Sequence, residues 1–235
     1  MRSLFLPLIA ALAVCVSAAQ AEALFRKPKL LQVGPNPCAI AAADLNDDGL
    51  PDIVTADRGT LGDPRDERPA NDELSILMAQ PGGEYERVHP SLKTGFGPYA
   101  IAIANIDALK WPEIIVANFH DIRNRDLSLF LNIKTEGVFK PVEFTVPDQA
   151  LLYVRHNDGD DAPLFTKPGL TSLAVADLNN DGLRDVVATA WSSDVLVVFP
   201  GATDTYLATP RFFPAAGGPR QIALADFDND KHLDA

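Results

Sequence analysis

Short apolar runs that flank an Asp-rich loop recur along this chain. Three copies share one form: AIAAADLNDDGLPDIV from Ala39, LAVADLNNDGLRDVV from Leu173 and IALADFDNDKHLDA from Ile222. An altered copy, AIAIANIDALKWPEIIV, begins at Ala100. Because the same string returns between matching runs, we infer that one structural unit is repeated along the chain.

The residues around each loop predict a meander of four antiparallel strands. The run after the loop is rich in β-branched residues, as strands prefer. A third strand follows at 73–78, 126–131 and 194–199, and a Gly-containing turn leads to an aromatic residue, Tyr85, Phe139 or Tyr206, that opens a fourth.

The spacing and the first strands favour a radial arrangement of these units. The loops begin 61, 72 and 49 residues apart, close to the roughly 50 residues of a propeller blade. The first strand of each unit is rich in alanine and apolar on both faces, which suits an innermost position near the axis. A two-sheet sandwich would not need the same loop in every meander. We therefore predict an all-β fold, a β-propeller of four-stranded antiparallel blades.

The first 21 residues have the form of a secretory signal peptide. Arg2 precedes an apolar run from Leu4 to Val16, and small residues end at Ala21. The run is too short to span a bilayer as an anchor. The sequence thus predicts a secreted, periplasmic or extracellular protein cleaved near Ala21, with no transmembrane segment. A lipid anchor at Cys15 is disfavoured, because Cys15 lies inside the apolar run.

The composition of the chain limits the kinds of partner that it is expected to bind. The chain carries a formal charge of −12, and loss of Arg2 with the signal leaves 19 basic against 32 acidic residues, or −13. Such a charge argues against nucleic acid, whose phosphates would be repelled. Eleven of the 32 acids lie in the three unaltered loops. Cys38 is the one cysteine after the signal, so no internal disulfide is expected, and we predict a small buried residue there.

The loop pattern between two short strands resembles the FG-GAP or VCBS repeat of integrin α-type propellers. The resemblance extends from about Leu30 to Ala235 and implies three blades plus the start of a fourth, over 22–235, as part of a seven-bladed ring. A complete ring would need on the order of 350 to 420 residues. The sequence is therefore expected to be a fragment or truncation that folds poorly alone.

The resemblance also implies structural calcium in the hairpin between the first and second strands. Oxygen ligands at loop positions one, three, five, seven and nine suit a hard cation, and Mg²⁺ suits an all-protein cage less well. Position seven would contribute its main-chain carbonyl. The expected ligands are Asp44, Asn46, Asp48, Leu50 and Asp52; Asp177, Asn179, Asp181, Leu183 and Asp185; and Asp226, Asp228, Asp230, His232 and Asp234.

Two loops depart from the pattern. Lys231 replaces the turn glycine of the last loop, at a cost of ~1 kcal/mol if the backbone is left-handed there. In the altered copy Asn105, Asp107 and Glu113 remain, but Leu109 replaces the central acid and Lys110 the glycine. We predict no metal in that copy, with Lys110 neutralising Asp107 or Glu113.

A simpler interpretation is that Asp and Asn only form Asx-turns in hairpins. An Asx-turn accounts for any one loop. It gives no reason for an acid at the ninth position of all three unaltered loops, because an Asx-turn does not require a charged residue there.

The variable segments point to the face opposite the loops. The extensions at 57–71 and 145–169 belong to connections on that face, where binding residues are commonly found. Candidate ligand contacts at strand ends are Arg58, Tyr99, His120, Arg123, Trp191 and Arg220. The alternative is that the aromatic residues pack between blades and the arginines are solvated.

No catalytic motif is found: there is no His-Glu-x-x-His, no Gly-x-Ser-x-Gly and no phosphate-binding glycine loop. Two functions stay open. The first is an adhesion or ligand-binding module for protein or carbohydrate. The second is a carbohydrate-active enzyme, similar to a polysaccharide lyase, on a calcium-stabilised propeller.

Overall fold

The computed structural model describes residues 28–59, 71–107, 109–119, 125–135, 138–146 and 168–235. Residues Gln32–Ala235 fall in one structural unit. The predicted signal peptide over 1–21 lies outside the described residues. No helix of the described ranges is both long and apolar enough to cross a membrane.

Each of the first three repeats forms its own antiparallel sheet. The first contains β1 (Pro37–Ala43), β2 (Asp52–Asp57), β3 (Glu73–Gln80) and β4 (Glu84–Arg87), with β5 (Leu92–Lys93) also paired to β3. The second contains β6 (Pro98–Ala104), β7 (Glu113–Asn118), β8 (Leu127–Thr135) and β9 (Val138–Phe144), in that order. The predicted meander is confirmed in both.

The third sheet departs from the prediction at its last strand. It contains β10 (Leu170–Ala176), β11 (Asp185–Ala190), β12 (Val195–Phe199) and β15 (Arg211–Pro214). Between β12 and β15 a small separate hairpin pairs β13 (Gly201–Ala202) with β14 (Tyr206–Leu207). Tyr206 was expected to open the fourth strand, and this was wrong. It has a left-handed φ of 67° and lies in the inserted hairpin.

Two apolar cores lie between consecutive sheets. Because side chains alternate along a strand, β7 divides its residues between them: Ile114 and Val116 face the first sheet, and Ile115 and Ala117 face the third. The core against the first sheet contains Leu45, Val54, Ala56, Leu74, Ile76, Met78, Ile114, Val116, Phe130 and Phe139. Both faces of the middle sheet are thus buried.

The first strands of the sheets are neighbours: β1 lies beside β6, and β6 lies beside β10. This order agrees with the prediction that the alanine-rich strands are innermost, since small side chains allow the sheets to approach there. Burial is less complete than expected on β1, where Ile40 is 68% exposed. The described residues therefore form an all-β arrangement consistent with propeller blades.

The first strand of each sheet has an irregularity near its start. The register between first and second strands shifts between Pro37 and Ala39, between Pro98 and Ala100, and between Leu170 and Ser172. The residues inside these shifts are Cys38, Tyr99 and Thr171. Bulges re-aim side chains next to functional sites, and these three lie at the end of the sheets away from the Asp-rich loops.

Candidate metal loops and the opposite face

The Asp-rich loops join the first strand to the second and share one hydrogen-bond framework. In the first loop, Asp44 accepts backbone N–H bonds from Asp47 at 2.6 Å and Gly49 at 2.7 Å, and Asp48 accepts from Leu50 at 2.8 Å. In the third repeat, Asp177 and Asp181 accept the matching bonds from Gly182 at 2.9 Å and Leu183 at 2.8 Å.

The last loop repeats this framework with a lysine in its turn. Asp226 accepts from the backbone N–H of Lys231 at 2.9 Å, and Asp230 accepts from that of His232 at 2.8 Å. Lys231 has a φ of 73°, against 83° at Gly49 and 88° at Gly182. The backbone is left-handed at this position in all three loops, as the strain argument required, so Lys231 adopts a conformation that glycine accepts more easily.

Asp44, at position one of the first loop, is more acidic than a free aspartate. Burial alone would raise the pKa of Asp44, but the backbone N–H groups around it stabilise the carboxylate and lower the pKa below its ordinary value. An ionised carboxylate at position one is the form that a hard cation requires.

Acids at the ninth position have a structural role that the sequence argument missed. Asp52 is fully buried, and its Oδ2 and Oδ1 accept backbone N–H bonds from Leu45 at 2.9 Å and Ala79 at 2.7 Å. Asp185 accepts the matching bonds from Leu178 at 2.8 Å and Gly201 at 2.7 Å. The premise that only a metal explains this acid was wrong, because the acid also joins the loop to the end of the third strand, at Ala79 in the first sheet, or to the chain just after it, at Gly201 in the third.

In the last loop three of the four acidic side chains converge, and Asp230 is not among them. One oxygen each from Asp226, Asp228 and Asp234 lies within 4.8 Å of the others. Oxygens that share one Ca²⁺ at 2.3–2.6 Å stand at most about 5 Å apart. The donor set and its spacing therefore fit a calcium ion.

The altered second loop is held differently. Asn105 donates from Nδ2 to the carbonyl of Leu109, and Lys110 forms an ion pair with Asp47 of the first loop. Lys110 was expected to neutralise Asp107 or Glu113, and this was wrong: the neighbouring loop lies within its reach. Asn180 and His232 make a matching contact of 3.4 Å between the third and last loops.

Glu113 stands at the ninth position of this altered loop. Its Oε2 accepts a 2.7 Å hydrogen bond from the backbone N–H of Ile106, while the buried Oε1 has no partner. Burial raises the pKa of Glu113 to about 7, with Asp107 adding to the rise and the N–H of Ile106 opposing it.

At the opposite ends of the strands, arginines and aromatic rings form a continuous row. We call it the arginine–aromatic strip, and it consists of Arg58, Tyr99, Phe119, Trp191 and Arg220. The ring centroids of Tyr99 and Phe119 are 5.5 Å apart, and those of Phe119 and Trp191 are 6.0 Å apart. The Arg58 guanidinium lies 4.6 Å from the Tyr99 centroid, and that of Arg220 lies 5.5 Å from Trp191.

Equivalent positions in successive repeats supply this strip. Arg58, Phe119 and Trp191 each follow the last residue of the second strand, while Tyr99 sits at the bulge of β6. Four of the six predicted ligand-face residues are thus brought together. Phe119 was missed, although its place after β7 matches that of Arg58 after β2. His120 and Arg123 lie outside the described residues.

Cys38 stands in the first repeat where Tyr99 stands in the second. It was expected to be buried and is exposed, so that expectation was wrong. Its thiol donates to the carbonyl of Pro98 at 3.2 Å. Although the residue as a whole is exposed, the atoms around the sulfur partly desolvate it and so raise the pKa of the thiol, which disfavours the reactive thiolate. The contact links the starts of the first two sheets.

Residues 177–235 match the family model of the FG-GAP-like repeat. The match begins at the first acid of the third loop and includes the last one, so the resemblance inferred from the loops is confirmed there. No curated protein matches the chain.

Solved structures support the fold. A crystal structure from Bacteroides uniformis ATCC 8492, provisionally described as a 6-phosphogluconolactonase, matches with a TM-score of 0.52 at 18% identity. The match covers 82% of this chain and 48% of that protein. At this identity the likeness concerns the fold alone, and the chain spans about half the length of this neighbour.

Proposed function

We propose that this chain is an exported β-propeller module, built from FG-GAP-like repeats, that uses structural calcium and binds its ligand on the face of the arginine–aromatic strip. The three sheets would be blades of a larger ring, part of a seven-bladed propeller, and the last loop would begin a fourth blade. Adhesion to a protein or carbohydrate is the activity that such a module would serve.

One observation supports the calcium above all others: three loops far apart in sequence repeat the same carboxylate framework. Position one accepts the N–H of position six in each, through Asp44, Asp177 and Asp226. The framework fixes the carboxylates, and the convergence of three oxygens in the last loop is the spacing that calcium needs.

Calcium would act on stability and not on the ligand directly. The loops lie at the opposite strand ends from the strip, so an ion there contacts no residue of the strip. With a dissociation constant of ~10 μM and ~1 mM external calcium, each site would add roughly 2.7 kcal/mol to the free energy of unfolding.

A thermal melt with counted ions tests this proposal. We expect the melting temperature of the full chain to rise in 1 mM Ca²⁺ relative to chelator, and equilibrium dialysis to find three ions per chain. The double variant Asp177→Asn/Asp181→Asn should bind one ion fewer. Asp204→Asn is the matched control, because Asp204 is an exposed acid outside the loops. Identical melting temperatures in calcium and in chelator, together with no bound ion, would mean that the loops are Asx-turns that hold no metal.

A further inference from the structure

We propose that the β13–β14 hairpin positions the main-chain ligand of the third Asp-rich loop, so that this loop binds calcium more tightly than the first. Gly201 is the residue through which the hairpin acts on the loop. The inference rests on the proposed function, since it concerns the affinity of a loop that is proposed to hold calcium. It goes further by naming a positioning residue outside the loop, where the ligand pattern indicates none.

The carbonyl at loop position seven differs from the other expected ligands. The carboxylates of Asp177 and Asp181 are held by N–H donors of the loop itself, from Gly182 and Leu183. The direction of a main-chain carbonyl is set instead by the backbone on either side of its peptide bond. The packing around the peptide between Leu183 and Arg184 therefore decides where this ligand points.

Gly201 packs against both sides of that peptide bond. A Cβ at Gly201 would lie 2.6 Å from the Cβ of Leu183 and 2.8 Å from the carbonyl oxygen of Arg184. Real Cβ atoms do not approach other atoms so closely, so any side chain at Gly201 would displace the loop. The hairpin backbone thus lies directly on positions seven and eight, an approach that glycine alone allows.

Two anchors fix the hairpin in this place. The N–H of Gly201 donates to Oδ1 of Asp185 at 2.7 Å, and Oδ2 of Asp185 accepts from Leu178 at 2.8 Å. On the partner strand, Leu207 pairs with Gly201 and is 2% exposed in the core between the second and third sheets. The hairpin is therefore joined to the loop on one side and to the core on the other, and it can act as a rigid support.

The first repeat is built differently at the same place. Ala79 makes the bond to Asp52 that Gly201 makes to Asp185, but Ala79 carries a Cβ. It also lies within β3, pairs with β4 and belongs to no separate hairpin. A backbone contact as close as that of Gly201 is blocked there, so the carbonyl of Leu50 is less constrained by its surroundings.

Charge alone predicts the opposite order of affinities. The first loop has an additional acid, Asp47, at position four, where the third loop has Asn180. Lys110 offsets Asp47 through their ion pair, but the third loop also carries Arg184 at position eight. A cation held by charge alone would therefore favour the first loop. A tighter third loop would instead indicate that packing sets the affinity.

Hydrogen exchange followed by mass spectrometry during a Ca²⁺ titration resolves the two loops within one molecule. The N–H groups of Gly49 and Leu50 bond to expected ligands of the first loop, and those of Gly182 and Leu183 bond to expected ligands of the third. Peptides that cover 44–51 and 177–184 therefore report each loop separately. In the parent chain we expect the third loop to reach half-protection at about tenfold less calcium than the first.

Gly201→Ala tests the support by the hairpin. It should raise the calcium concentration for half-protection of the third loop about tenfold. The first loop should be unchanged, which also shows that the variant is folded. Thr203→Ala is the matched control, because Thr203 is exposed in the turn of the same hairpin, and it should change neither loop.

Several results would overturn the proposal. Equal half-protection of the two loops in the parent chain, or a tighter first loop, would do so even if Gly201→Ala does not fold. An unchanged third loop in the folded variant would overturn it as well, and so would a shift of both loops by the same factor. Failure of either loop to respond to calcium in the parent would reject the calcium of the proposed function. Responses in both loops without any effect of Gly201→Ala would reject only the support by the hairpin.

Discussion

Asp52 joins the first Asp-rich loop to the end of the third strand, because its Oδ1 accepts a 2.7 Å hydrogen bond from the backbone N–H of Ala79. Its other oxygen accepts from Leu45 within the loop. The carboxylate is fully buried, so both backbone donors depend on it. The ninth acid of the repeat therefore serves the sheet whether or not an ion is bound.

We predict that Asp52→Ala destabilises the chain even in excess chelator. Alanine would leave two backbone N–H groups without a partner, one of them at the end of a buried strand, at about 3 kcal/mol in total. Chemical denaturation followed by circular dichroism would measure the loss.

Asp48→Ala is the control for that experiment. Asp48 is exposed and serves local bonds to Asn46 and Leu50, so in chelator its removal should cost less than 1 kcal/mol. Equal losses for the two variants would show that the buried contact to Ala79 carries no special weight.

A second prediction concerns the turn of the last loop. Lys231→Gly should raise the free energy of unfolding by about 1 kcal/mol, because Lys231 holds a left-handed φ of 73° that glycine adopts without a Cβ clash. Lys231→Ala removes the same charge but keeps the Cβ, and it should give no such gain. If both variants are stabilised alike, the benefit comes from charge and the strain argument fails.

Much of the fold follows from the sequence because its pattern is local. The alternation around Asp44 and Asp177 identifies the hairpin, and the β-branched runs after it identify β2 and β11. The left-handed turn at Lys231 could also be anticipated, since the glycines of the sister loops mark that position. Each of these inferences depends on residues within one repeat.

The errors arose where one repeat touches another part of the chain. Lys110 pairs with Asp47 of the previous loop, and nothing within its own repeat indicates that partner. Asp52 accepts a hydrogen bond from Ala79, 27 residues further along the chain. The sequence pattern therefore indicated its expected role as a metal ligand but not this structural role. Phe119 was overlooked for the same reason, because its importance comes from lying between Tyr99 and Trp191.

A third prediction uses the buried acid of the altered loop. Burial raises the pKa of Glu113 to about 7, so the folded protein holds a proton there that the unfolded chain releases near its ordinary value of 4.5. The contribution of Glu113 is therefore favourable below about pH 4.5 and is lost as pH rises through about 7. Above that pH the charged, half-paired carboxylate destabilises the fold.

Glu113→Gln tests this contribution. The amide keeps an acceptor for Ile106 and carries no charge, so at pH 8 the variant should be more stable than the parent by about 2 kcal/mol. The difference in the free energy of unfolding between variant and parent should shrink as the pH falls from 7 to 5. Taking this difference removes the effect of the other acids, because both proteins contain them. A difference that is constant across this range would contradict the raised pKa.

The final prediction restores a metal loop in the second repeat. Leu109 occupies position five and Lys110 position six, where the intact loops have Asp and Gly, while Asn105, Asp107 and Glu113 already supply oxygens at positions one, three and nine. Leu109 is 48% exposed, so Asp can replace it without opening a cavity. If the loops bind calcium as proposed, Leu109→Asp/Lys110→Gly should bind one more ion per chain than the parent.

The single variant Lys110→Gly removes the ion pair with Asp47 but lacks the central acid, and its ion count should equal that of the parent. Equilibrium dialysis with ⁴⁵Ca²⁺ measures the count. An unchanged count in a folded double variant would mean that the missing acid and glycine are not what keeps calcium out of the second loop.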